Sequence, residues 1–185
     1  MKVSNVRALR PALRSVGPAP THAAPTLEDV YRLYCRYVGA VILRISGRRA
    51  ELEDLIQDVF AEAAASFDAL REPAAVRGWL ATIAVRVTRR RLRRQRFFAF
   101  LGFDAGTDYE DVASADASPF DRAIVAQVYR ALDEVAVDDR VAFVLHHVEG
   151  ETLEAVAALC GCSRTTAKRR IFRARTSVER RLVDG

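Results

Sequence analysis

An all-α fold is predicted, with two small helical domains joined by an acidic flexible linker and a helix-turn-helix in the second. Three observations lead there. Apolar residues recur at three- and four-residue steps through most of the chain, and no stretch alternates as a strand would. Two arginine-rich blocks flank a segment, Phe97 to Asp121, that holds six acids and no base. Near the end, a short apolar helix, a Cys-Gly-Cys turn and a basic helix follow one another. The expected division is a disordered tail over 1–25, a helical domain over 26–97, the linker over 98–119 and the helix-turn-helix domain over 120–185.

The tail is basic and rich in Pro and Ala, and Arg10, Pro11 and Arg14 interrupt any signal-peptide core. No apolar run approaches the roughly 20 residues a membrane helix needs, so membrane insertion is not expected and the cytoplasm is the expected location. The first helix is read over 27–45 from Leu27, Val30, Tyr31, Tyr34, Val38, Val41, Ile42 and Ile45. SGRR at 46–49 ends it. The second runs from about Ala50 to Phe67, before Pro73.

That second helix divides its faces. Leu52, Leu55, Ile56, Val59, Phe60, Ala63 and Phe67 share one broad arc, and Glu51, Asp54, Asp58 and Glu62 form a stripe opposite. Acids at i,i+4 repel by roughly 0.2–0.5 kcal/mol per pair, so the stripe does not stabilise the helix. It suits a cationic partner, with Gln57 and Asp58 as natural contacts, or it is solubilising charge.

A third helix begins near Ala74. Val76, Trp79, Leu80, Ile83 and Val87 form its buried stripe. Beyond them Arg86, Arg89, Arg90, Arg91, Arg93, Arg94 and Arg96 spread around the circumference, with no acid among them. A helix end so charged cannot enter a core without paired acids, and the neighbouring sequence supplies none. Neutralising phosphates accounts for it, each contact adding about −0.9 to the log–log salt slope on duplex DNA. A solvated charged face is the alternative. FFAFLGFDAGTDYEDVASADASP then reads as linker.

Helical periodicity resumes over 120–135, 139–148, 152–159 and 163 to about 182. TLEAVAAL turns Leu153, Val156 and Ala157 inward; Gly161 can take a positive φ in the turn; Ser163 suits an N-cap. In the last helix Ala167, Ile171, Ala174 and Val178 form the buried stripe. Phe172 projects away from it, on an arc shared with Thr165, Lys168, Arg169 and Arg173, where a helix would face a major groove. An exposed Phe can cover a thymine methyl; contact with a neighbouring helix is the other use.

The three cysteines, Cys35, Cys160 and Cys162, are an odd count that argues against a disulfide framework. Cys160 and Cys162, with His146 and His147 upstream, match no common zinc spacing, so packing in a tight turn is the expectation and no metal is expected. No nucleophile–base pair, metal cluster or phosphate loop is evident, so neither enzymatic activity nor a cofactor is expected.

Taken in order, the segments resemble extracytoplasmic-function sigma factors, the two-domain initiation subunits of bacterial RNA polymerase. ELEDLIQDVFAEAAASF is similar to the family's acidic core-binding helix, WLATIAVRVTRRRLRR to the segment that engages the melted minus-ten element, and residues 139–182 to the region that reads the minus-thirty-five element. The resemblance implies core-polymerase contacts at Asp54, Gln57, Asp58 and Glu62. It implies minus-ten contacts at Trp79, Arg86, Arg89, Arg90 and Arg93, and minus-thirty-five contacts at Ser163, Thr165, Thr166, Lys168, Arg169, Phe172 and Arg173. The implied partners are bacterial RNA polymerase core, promoter DNA and an anti-sigma factor. Val85, Arg86 and Arg90 stand where the family often has Arg, Asn and Asp, so base capture at the minus-ten element is expected to differ. The rival readings are a helix-turn-helix regulator that never binds core polymerase, and a protein-interaction adaptor whose basic blocks bind acidic proteins.

Overall fold

The computed structural model describes residues 26–70, 75–102, 109, 112 and 117–184. The expected tail, 1–25, and most of the expected linker lie outside them. Among the described residues every regular element is helical: α1 (Leu27–Ser46), α2 (Leu52–Ser66) with a 3-10 turn at Phe67–Ala69, α3 (Val76–Phe100), α4 (Pro119–Asp133), α5 (Val137–Phe143) continued by a π turn at Val144–Val148, α6 (Leu153–Cys160) and α7 (Arg164–Asp184).

Local chemistry sets the helix starts. Thr26 caps α1 through a capping box, its hydroxyl accepting from the Asp29 amide at 3.2 Å while its own amide donates to the Asp29 carboxylate at 3.0 Å. Ser118 caps α4 ahead of Pro119, and Thr152 caps α6. Glycines in the left-handed region end α1 at Gly47 and α6 at Gly161.

The helical stripes expected from the sequence are the buried ones. Val30, Val38, Val41, Ile42 and Ile45 of α1 pack with Leu55, Val59, Phe60 and Ala63 of α2 and with Val76, Leu80, Ile83 and Val87 of α3. Tyr31 stays largely exposed, its ring edge-on to Phe60, while Tyr37 takes a buried place beneath the Arg77 guanidinium. In the second half Val125, Val128, Tyr129 and Leu132 of α4 meet Val141, Phe143 and Leu145, then Val156, Ala167, Ile171, Ala174 and Val178.

Two features depart from expectation. Helix α3 continues to Phe100, into the stretch expected as linker, because nothing in RFFAFL breaks a helix before Gly102, which takes φ 87°. The two halves are also more than tethered: they pack against each other. The C-terminal end of α1 enters the second half, where buried Arg140 donates to the Ile45 and Ser46 carbonyls at 3.0 and 2.6 Å. The Tyr129 hydroxyl donates to the Arg44 carbonyl at 2.6 Å, and Arg44 pairs with Glu149 at 2.6 Å in the same buried seam.

Candidate nucleic-acid and polymerase interface

Three groups of side chains form the candidate interface. On α2, Asp54, Gln57 and Asp58 are exposed on the face opposite Leu55 and Val59. The ends of the acidic stripe are engaged differently. Glu51 accepts from Arg91 at 3.0 Å and from Gln95 at 2.5 Å. Glu62 accepts from Arg86 at 2.5 Å and Arg90 at 2.8 Å. Burial works against the Glu62 charge, yet these hydrogen bonds win and hold its carboxyl below the usual carboxylate range. So Glu62 is turned toward α3, and Asp54 and Asp58 in the middle of the stripe face outward.

The arginine block of α3 therefore has the counter-charges that its own sequence neighbourhood lacks. Arg86 and Arg90 remain largely exposed beside Glu62. Arg89, half-buried, donates to the Cys160 carbonyl at 3.0 Å. Arg93 pairs with Asp138 at 2.8 Å and Arg96 donates to the Val135 carbonyl at 2.7 Å. Trp79 is half-buried, its ring 6.3 Å from that of Phe67. Past the block, Phe97, Phe98 and Phe100 are exposed, with the Arg94 guanidinium over the Phe98 ring.

The helix-turn-helix is formed by α6, Gly161 at φ 61° and α7. Ser163 caps α7, its hydroxyl accepting from the Thr166 amide at 3.1 Å and sharing a hydrogen bond with the Thr166 hydroxyl at 2.9 Å. Ser163 and Thr166 thus have a structural task at the helix start. Thr165, Lys168 and Arg169 are exposed, and Phe172 is 67% exposed while Ile171 beside it is buried. Phe172 thus stands outside the buried stripe of α7. Arg173 shares the same arc but is held: its Nε and Nη2 donate to the two carboxylate oxygens of Asp139 at 2.8 and 2.7 Å. That fork raises the Arg173 pKa and fixes the side chain's direction.

Sequence reasoning missed Asp138 and Asp139. They read as ordinary acids in the first turn of α5. In the structure Asp138 joins Arg93 of α3 to Arg170 of α7, and buried Asp139 orients Arg173. The signal was the adjacent DD ahead of an apolar run, which sequence alone cannot assign to a partner.

The cysteines form no ligand set. Cys160 is buried and Cys162 half-buried, and among the described residues no cluster of His, Cys, Asp and Glu could hold a metal ion. Burial pushes the Cys160 thiol up to about 11, so it packs as a small apolar group. No described helix is long and apolar enough to cross a membrane.

Comparison with known proteins gives two family matches, Sigma-70 region 2 over residues 30–98 and Sigma-70, region 4 over residues 126–178. RNA polymerase sigma factor CarQ of Myxococcus xanthus is 32% identical over 154 residues, covering 82% of this chain and 86% of that protein. ECF RNA polymerase sigma factor EcfG of Rhodopseudomonas palustris is 29% identical over 147 residues, 79% of this chain and 80% of that one. Among solved structures, the sigma factor RpoE in complex with the anti-sigma factor NepR from Bartonella quintana superposes with a TM-score of 0.64 at 25% identity, covering 84% of this chain and 95% of that one. CnrH in complex with the cytosolic domain of CnrY gives a TM-score of 0.58, also at 25% identity.

Proposed function

We propose, for a chain that belongs to the extracytoplasmic-function sigma factor family of RNA polymerase, that its two halves divide promoter recognition between melted and duplex DNA. The first half docks on core polymerase through Asp54, Gln57 and Asp58, which stand exposed on α2. The α3 arginines then lie along the separated strand near the minus-ten element, where Arg86, Arg89, Arg90 and Arg93 would neutralise phosphates. The second half places α7 in the major groove of the minus-thirty-five element, with Lys168 and Arg169 on phosphates or guanine edges and Phe172 on an apolar base edge. This subunit makes and breaks no bonds; it positions polymerase and holds opened DNA. An anti-sigma factor is the proposed protein antagonist, as NepR is found with RpoE.

One observation supports the reading above others: the apolar Phe172 stands exposed among cations on a helix-turn-helix, while a second cationic helix end and exposed acids occupy the same chain. A regulator that ignores polymerase leaves the first half without a purpose. The test is in vitro transcription with purified core polymerase over a promoter library. Promoter-specific initiation that depends on this chain is expected; DNA binding without initiation would return the reading to a regulator.

A further inference from the structure

We propose that the cavity where α3 meets the α1–α2 connection and the start of α5 binds a nucleoside polyphosphate, a ligand beyond anything the sigma-factor reading requires. Helix α3 carries its cations on two faces. At about 100° per residue, Arg86, Arg89, Arg90 and Arg93 share one arc, whereas Arg91, Arg94, Gln95 and Phe98 share another, about 140° round the helix. The first arc is the one offered to promoter DNA. The second, joined by Arg48, Arg96 and Arg140, lines a cavity of about 530 Å³. Small-molecule sites span about 300–1,000 Å³ and combine apolar walls with a few convergent polar groups. Leu132, Val135 and Val137 supply the apolar wall here.

Three features of the lining specify the ligand. Charge is the first. Glu51 pairs with Arg91 and Asp133 with Arg140, whose other nitrogens donate to the Ile45 and Ser46 carbonyls. Among the described lining residues this leaves the charges of Arg48, Arg94 and Arg96 without a paired carboxylate. Guanidinium groups gathered round one cavity suit a chain of phosphates. Hydrogen bonding is the second feature. Ser46 Oγ holds the Arg48 amide at 3.1 Å and Gln95 Nε2 donates to Glu51 at 2.5 Å, yet Arg48 Nε and Gln95 Oε1 are buried with no partner among the described residues. A buried polar atom left unpaired is costly, so both ask for a partner from outside the chain. Arg48 needs an acceptor and Gln95 a donor. Inorganic triphosphate answers the first alone; a phosphate chain joined to a sugar and a base, with their hydroxyl and amine groups, answers both. The third feature is Phe98, exposed in the lining with the Arg94 guanidinium 5.6 Å from its ring centroid. A nucleobase stacks on such a ring.

Calorimetric titration of the free full-length chain with GTP and with ATP is the test, beside inorganic triphosphate, guanosine and a single-stranded minus-ten oligonucleotide. Saturable binding of at least one nucleotide is expected, tighter than that of triphosphate or guanosine, and the melting temperature should rise with nucleotide concentration. Arg48→Ala should weaken nucleotide and triphosphate alike by about 10-fold or more, since it removes a charge-assisted donor. Phe98→Ala should weaken the nucleotide about 5-fold or more and leave triphosphate unchanged, because only the base stacks. Arg32→Ala, at an exposed arginine of α1 outside the cavity, should change neither. Phe98 is exposed, so its variant carries the comparison if Arg48→Ala does not fold by circular dichroism. No binding of either nucleotide at millimolar concentration, equal affinity for nucleotide and triphosphate, or undiminished nucleotide binding by Phe98→Ala each overturn the proposal. So does an oligonucleotide that displaces the nucleotide and loses as much affinity in Phe98→Ala, which would make the cavity part of the DNA path. Initiation with core polymerase reports separately on the sigma-factor reading, and neither result decides the other.

Discussion

Phe172→Ala separates base recognition from folding, because the structure fixes how little that ring contributes to the core. The residue is 67% exposed. About a third of its roughly 200 Å² is therefore covered, and at about 25 cal/mol per Å² truncation loses about 1.5 kcal/mol. Alanine's better helix propensity returns about 0.5 kcal/mol, leaving about 1 kcal/mol of destabilisation. A Phe buried in the core would cost about 3–5 kcal/mol. On DNA the loss is larger if the ring covers a base edge: about 1–3 kcal/mol on the preferred sequence, or about 5- to 150-fold in affinity. Since Phe carries no charge, the salt slope of binding should not change, whereas Lys168→Ala or Arg169→Ala should flatten it by about one unit per lost phosphate contact. The assay is a salt titration of each full-length variant on preferred and scrambled minus-thirty-five duplexes, with a thermal melt beside it. Equal weakening on both duplexes, or a stability loss of core size, would refute the groove assignment.

Three further outcomes follow from the same geometry. Reversing Asp54 and Asp58 to Lys should abolish co-elution with core polymerase while circular dichroism stays unchanged, because both side chains lie outside the helical core. Arg173→Ala should lower thermal stability as well as DNA affinity, since it leaves the buried Asp139 carboxylate without its fork, and adding Asp139→Asn should restore stability but not affinity; a stable single variant would disprove the coupling. His147 is held neutral, its pKa lowered to about 4 chiefly by burial and then by His146 and Arg175. Its folded pKa lies below the unfolded value of about 6.5, so the unfolded chain binds the extra proton between those pH values, and stability falls as pH drops from about 6.5 to about 4. After discounting for partial exposure the loss is about 1–2 kcal/mol, and His147→Leu should flatten that limb of a pH-dependent melting curve.

Helix identity, the buried stripes, the caps at Ser163 and Gly161, and the exposure of Phe172 were all legible in the sequence. Each depends on residues within one or two turns of each other, and a 3.6-residue period carries that information along the chain. The exposed acids Asp54 and Asp58 were legible for the same reason. What closes on the arginine block was not. Arg86 finds Glu62 across 24 residues, Arg93 finds Asp138 across 45, and Arg44 finds Glu149 across 105. The sequence showed the arginine block without local acids; only packing α3 against α2 and α5 brought Glu62 and Asp138 within reach. Gly47 shows the same limit: its sequence context predicts a helix end, and only the tertiary structure brings Tyr109 and Tyr129 against it. Periodicity is a property of one helix, whereas an ion pair or a ring contact between helices exists only once their crossing and register are set, and those are decided by the whole core at once.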